Sequence, residues 1–149
     1  MNRYSLSELV KNAYSLVLTK LFDAPARLIR RPVYIRGKKG MLFGEGFTTG
    51  YRCRFELFGK DVTLRIGKNC KIGDHVHIAA SENVTIGDDC LFASFVYISD
   101  TNHGTGTEHP MTPPDDRELT TDPVSIGNCV WLGEGVAVLP GAKIGDGCT

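Results

Sequence analysis

From Ile66 onward the chain counts in sixes. "IGKNCK" begins at 66, "IGDHVH" at 72 and "IAASEN" at 78. After a two-residue slip come "IGDDCL" at 86, "FASFVY" at 92 and "ISDTNH" at 98. "IGNCVW" at 126, "LGEGVA" at 132, "VLPGAK" at 138 and "IGDGCT" at 144 then resume the beat. Every unit opens with Ile, Leu, Val or Phe, most place Gly or Ala second, and the fifth residue is usually small or β-branched. An apolar helix face returns at three and four residues, so a period of six does not build one. It fits a short strand followed by a corner. The first residue points inward, the second lets the backbone turn, and the fifth fills the corner. Three units close a triangular coil, and coils stack strand on strand at about 4.8 Å. No coil has a core of its own, so stability comes from stacking. The expected fold class is an all-β solenoid, a parallel β-helix preceded by one α-helix. A sandwich would need alternating strands joined by hairpins every ~8–12 residues, and the chain does not carry that pattern.

Two segments follow, 1–40 and 41–149. In the first, "SLSELVKNAYSLVLTKLF" sets Leu6, Leu9, Val10, Ala13, Tyr14, Val17 and Leu21 on one helical face, and Ser5 with Glu8 forms a capping box. Residues 1–40 hold nine Lys/Arg against two Asp/Glu, and the remainder holds eight against fifteen. The totals cancel, so no overall field points to nucleic acid. The asymmetry points to a basic element on an acidic body. Two uses fit it: a helix packed on the base of the coil stack, or a peripheral contact with a membrane surface. No apolar run approaches the ~20 residues of a membrane span, and no basic n-region with an h-region opens the chain. The five cysteines (Cys53, Cys70, Cys90, Cys129 and Cys148) form no CxxC pair and are expected as reduced core thiols of a cytoplasmic protein.

The beat breaks in "YISDTNHGTGTEHPMTPPDDRELTTDPVSIG", residues 97–127. Pro110, Pro113, Pro114 and Pro123 stiffen an excursion over 100–124. His103 lies at its base, where a rigid scaffold can aim it. Imidazole, with an unperturbed pKa near ~6.5, suits a general base for a hydroxyl, and Asn102 or backbone N–H groups would suit an oxyanion. His75 and His77 are expected to point outward and border the cleft, and His109 to lie on the loop surface. The lone Trp131 is expected outside its coil, free to stack on a ligand.

The hexads, "SDTNHG" and "PVSIGNCVWLGEGVAVLPGAKIGDG" resemble the hexapeptide-repeat O-acetyltransferases. The closest branch modifies sugars and includes galactoside, maltose, O-antigen and capsule acetyltransferases. The likeness spans about residue 41 to the end. It implies a left-handed parallel β-helix and a homotrimer whose active sites lie between subunits. Acetyl-CoA would be the donor. The acceptor would be a sugar or lipid-linked glycan hydroxyl in O-antigen, capsule or exopolysaccharide biosynthesis, at the inner face of the membrane. No metal is expected. His103 matches the family's catalytic His. Asp100 and Asn102 would orient it or contact the sugar, and His77 would contact substrate. Ala93 and Glu134 fall at acetyl-CoA positions, with Trp131 beside them. The asparagine that stabilises the transition state in galactoside acetyltransferases falls near Gly73, which leaves the oxyanion donor unassigned. Family members continue beyond the position of Thr149 and complete the CoA site there. One alternative is therefore a truncated, inactive scaffold. Another is a γ-type carbonic anhydrase with His77, His103 and His109 around zinc, although their spacing departs from that family's.

Overall fold

The computed structural model describes residues 4–104 and 110–149. Three five-stranded parallel sheets form the walls of a prism. Face A stacks Leu28–Ile29, Thr48–Thr49, Lys71–Ile72, Leu91–Phe92 and Trp131–Leu132. Face B stacks Tyr34–Arg36, Arg54–Leu57, His77–Ala80, Tyr97–Ser99 and Ala137–Val138. Face C stacks Met41–Phe43, Leu64–Ile66, Val84–Ile86, Val124–Ile126 and Lys143–Ile144. Reading A, B, C in turn follows the chain through five coils.

The register explains the repeat. On face B, Ile35, Phe55, Ile78, Ile98 and Val138 sit directly one above the next. On face C, Ile66, Ile86, Ile126 and Ile144 do the same. These ladders fill the prism, and from coil 2 to coil 4 they are sealed from water. The fifth hexad position also turns inward, as the buried Cys70, Val76, Cys90, Val96 and Val130 show. The fourth position takes the corner in left-handed backbone: Arg52, Asn69, His75, Asp89, Phe95 and Cys129 have φ between 56° and 60°. Side chains at those corners point out.

That distinction corrects the reading of the cysteines. Cys53, Cys70 and Cys90 are buried, but Cys129 and Cys148 are exposed. Cys129 occupies a fourth, corner position. Cys148 occupies a fifth position in the fifth coil. Burial pushes the Cys53 thiol up to about 11 and Cys70 up to about 12, and raises Cys90 in the same direction.

The first coil begins at Leu28, inside the segment read as a basic arm. Before it runs α1, Leu6–Phe22, opened by the Ser5–Glu8 capping box. This helix does lie on the base of the stack, but with the opposite face from the one expected. Its buried residues are Ser15 and Thr19. Thr19 Oγ1 accepts from the Ile29 amide at 2.9 Å, Ser15 Oγ accepts from the Arg31 amide at 3.1 Å, and Asn12 Oδ1 accepts from Arg30 and Tyr51. The amides of coil 1 have no coil beneath them, so a polar helix stripe closes the open edge. Asp23, buried just past the helix, holds Arg31 and Lys38 at 2.6 Å each. The apolar stripe is left exposed. Among the described residues no helix is long and apolar enough to cross a membrane.

Candidate active site

The proline-rich excursion leaves coil 4 at the corner between faces B and C. Its two limbs pair as a short antiparallel ladder, Thr101 with Thr121 and Asn102 with Thr120. Asp100 anchors that base. Its carboxylate is fully buried and accepts the amides of Ser81, Glu82 and Asn83, each at 2.8 Å, and the Thr101 hydroxyl at 2.9 Å. Three converging N–H groups and a hydroxyl occupy the acceptor sites of one carboxylate. Asp100 is therefore a positioning residue for the loop, and the expectation that it meets a sugar is corrected. Thr121 adds a second tie by donating to Glu82 at 2.6 Å.

Asn102 and His103 follow immediately and are exposed. Gly104 turns the chain with φ of +68°. Farther along the excursion, Pro114–Asp116 form a single 3-10 turn, and Arg117 donates to the Thr112 carbonyl at 2.9 Å. His109 lies outside the described residues.

Face B carries the second group of polar side chains. His77 Nε2 lies 3.1 Å from Glu56 Oε2, and Arg54 Nε donates to the same oxygen at 2.8 Å. A carboxylate only accepts, so Nε2 carries the proton in this contact. Arg36 approaches the other Glu56 oxygen at 3.8 Å. The Arg54 hydrogen bond is the main reason the Glu56 carboxyl stays below the usual carboxylate range, against the opposing effect of burial. The His77 ring tilts against Tyr97 on the next coil, centroids 5.3 Å apart. Glu56 and Arg54 were not singled out from the sequence. The signal was present in the stacking, since Arg54, His77 and Tyr97 share one register position, but it appears only once the coil length is known.

Trp131 is 52% exposed on face A, as expected of an outward indole. Ala93 and Glu134 occupy the A–B corner on adjacent coils, where the Ala93 amide donates to Leu132 and the Gly135 amide to Ser94. His75 projects from the same corner and stacks on Phe95, centroids 4.9 Å apart and 7° from parallel. The fold thus brings Ala93, Glu134 and Trp131 to one edge. Within a single chain it does not bring them to His103, which leaves from the far edge of face B. Gly73 admits no side chain: an added Cβ would lie 2.7 Å from the backbone of both Ala93 and Ser94. Among the described residues no cluster of three or more His, Cys, Asp or Glu side chains is placed to hold a metal. A cleft of about 750 Å³ lies under α1 and is lined by Tyr14, Tyr51, Arg52 and His75. None of its lining residues belongs to the loop base.

A parallel hexapeptide solenoid with a histidine-bearing excursion is the architecture that the resemblance to the β-helix acyltransferases implies. Comparison with known proteins narrows it. No protein-family model matches the chain. It is 44% identical to WbbJ of Escherichia coli K12, provisionally named a lipopolysaccharide biosynthesis O-acetyl transferase, over 97% of this chain and 76% of that one. It is 35% identical to the galactoside O-acetyltransferase of the same organism, over 60% of this chain and 42% of that one. Among solved structures, a variant of AntD, an N-acyltransferase from Bacillus cereus in complex with dTDP and coenzyme A, superposes with a TM-score of 0.71. That likeness covers 99% of this chain and 76% of AntD at 18% identity, and shows the fold. The chain belongs to the hexapeptide-repeat O-acetyltransferase family.

Proposed function

We propose that this acetyltransferase moves an acetyl group from acetyl-CoA to a hydroxyl of a sugar in lipopolysaccharide or a related polysaccharide, with His103 as general base. The observation that carries this reading is the mounting of His103. It is exposed, one residue beyond a two-rung ladder, on a base tied to the solenoid by the buried Asp100 carboxylate. Such mounting holds a side chain on a rigid element while leaving the ring free to meet a substrate. The neutral imidazole would take the hydroxyl proton as the oxygen attacks the thioester carbonyl. The proton would then pass to the departing CoA thiolate, so no acyl-enzyme is required. Asn102 would contact the sugar, and His77, polarised by Glu56, would border the acceptor.

The donor would lie along the A–B edge, against Ala93, Glu134 and Trp131. Because that edge and His103 sit on opposite sides of face B, a complete site would draw on two copies of the chain. We therefore place the active site between subunits of a homotrimer, with the loop of one chain reaching its neighbour. Names of relatives support the substrate class: WbbJ by lipopolysaccharide and the galactoside enzyme by sugar.

The test is acetyl transfer to a panel of sugars and lipid-linked glycans, read by product mass, for the natural chain and His103→Ala. Loss of at least about 100-fold in the variant, with CoA binding by calorimetry retained, supports the general base. Equal activity removes His103 from the mechanism. Absence of both transfer and CoA binding in the natural chain would leave a scaffold.

A further inference from the structure

Helix α1 turns its apolar side to solvent. Asn12, Ser15 and Thr19 dock it to the edge of coil 1. On the opposite side Leu6, Val10, Val17 and Leu21, spaced by four, seven and four residues, form one line and are 59–79% exposed. Leu9 widens the stripe and is also more than half exposed. Because the docked side faces the solenoid, this stripe faces away from it. A continuous apolar surface along 17 helical residues is uncommon on a protein left in water.

We propose that α1 lies flat on an anionic lipid bilayer, standing the solenoid on its coil 1 end. Charge selects this occupant. Lys11 and Lys20 are exposed on the helix and Arg27 just beyond it, and none of the three belongs to an ion pair among the described residues. The chain as a whole is neutral, but its first 40 residues, the end that carries the stripe, hold nine Lys/Arg against two Asp/Glu. A second copy docked on this face would set these cations against their own kind. Anionic headgroups neutralise them while the acyl boundary takes the apolar side chains. The helix rests in the interface and does not span it, because its inner side is committed to hydrogen bonds with coil 1. Coil 4, which carries the His103 loop, then stands three coils above coil 1, about 14 Å at the usual strand spacing, with the helix between coil 1 and the bilayer. Membrane binding stands or falls independently of the acetyl-transfer reading.

The experiment is co-sedimentation of the full chain with vesicles of equal parts phosphatidylglycerol and phosphatidylcholine, and with phosphatidylcholine alone. The joint variants Val10→Gln with Val17→Gln, and Lys11→Gln with Lys20→Gln, are compared. The natural chain is expected on the anionic vesicles and at least about tenfold less on the neutral ones, with a similar loss for each variant. Circular dichroism and melting of the variants should match the natural chain, since all four side chains are exposed. Failure of the natural chain to bind anionic vesicles overturns the proposal, as does unchanged binding by the valine variant. A fall in solution mass of the valine variant, without vesicle binding by the natural chain, assigns the face to a second copy instead.

Discussion

The Asp100 carboxylate lies 2.8 Å from the amide of Asn83, one coil below it in the stack. With the Ser81 and Glu82 amides it makes a three-pronged anchor, and His103 stands three residues along the chain. Replacing Asp100 by Ala strands three backbone donors in a site closed to water. An unsatisfied buried donor costs ~1–3 kcal/mol, and partial relaxation brings the expected total to about 3 kcal/mol of stability. Urea unfolding measures it. A loss below about 1 kcal/mol would mean the anchor is not what holds the loop base.

Gly73 stands near where, by the resemblance, the asparagine of galactoside acetyltransferases would fall. Its hypothetical Cβ collides with the backbone of coil 4, not with a movable side chain. Gly73→Asn is expected to spread coils 3 and 4 and lower the melting temperature by several degrees, roughly 2 kcal/mol. It should not raise acetyl transfer. A variant that melts with the natural chain and turns over faster would show that the corner can accept the asparagine.

Helix α1 makes an inverted prediction about polarity. Thr19→Val keeps the shape but removes the acceptor for the Ile29 amide, and should destabilise by ~1–3 kcal/mol. Val17→Gln puts a polar group on an exposed apolar stripe and should change stability by less than ~0.5 kcal/mol. The two melting curves decide it. The opposite order would mean that the helix docks by its apolar face.

The cysteines separate by position in the hexad. A thiol reagent at neutral pH should modify Cys129 and Cys148 and spare Cys53, Cys70 and Cys90 until the fold opens, which peptide mass mapping resolves. The raised thiols also set an alkaline limit. Unfolded thiols ionise near 9.0, whereas folded Cys53 and Cys70 hold their protons to about 11 and about 12. Their contribution is complete below pH 9 and declines as pH rises through that window, because only the unfolded chain releases protons there. Substituting both by Ser should flatten this part of the stability profile.

Much of the architecture is legible in the hexads. An inward Ile or Val every six residues, a small residue after it and a corner residue three on from the first admit few structures besides a stacked coil. The ladders through Ile78, Ile98 and Ile126 realise that pattern directly. The loop was equally legible, because prolines and a broken beat announce an excursion and His103 marks its root. The pairing of Glu56 with His77 was not, because residues 21 apart become neighbours only when a coil of that length closes. Asp100 reads as a turn-forming or substrate-facing acid until the coil beneath supplies three amides to bury it.

The periodicity of this chain determined by itself that it would stack, since no coil can bury its aliphatic face alone. What the tertiary structure decided was the use of groups whose local pattern is ambiguous. α1 is amphipathic in either orientation, and its apolar stripe alone suggests packing inward. The free amides of coil 1 reversed that choice. An open strand edge demands hydrogen-bond acceptors more urgently than the helix demands burial of its leucines, so Ser15 and Thr19 turned in and Leu6, Val10, Val17 and Leu21 turned out.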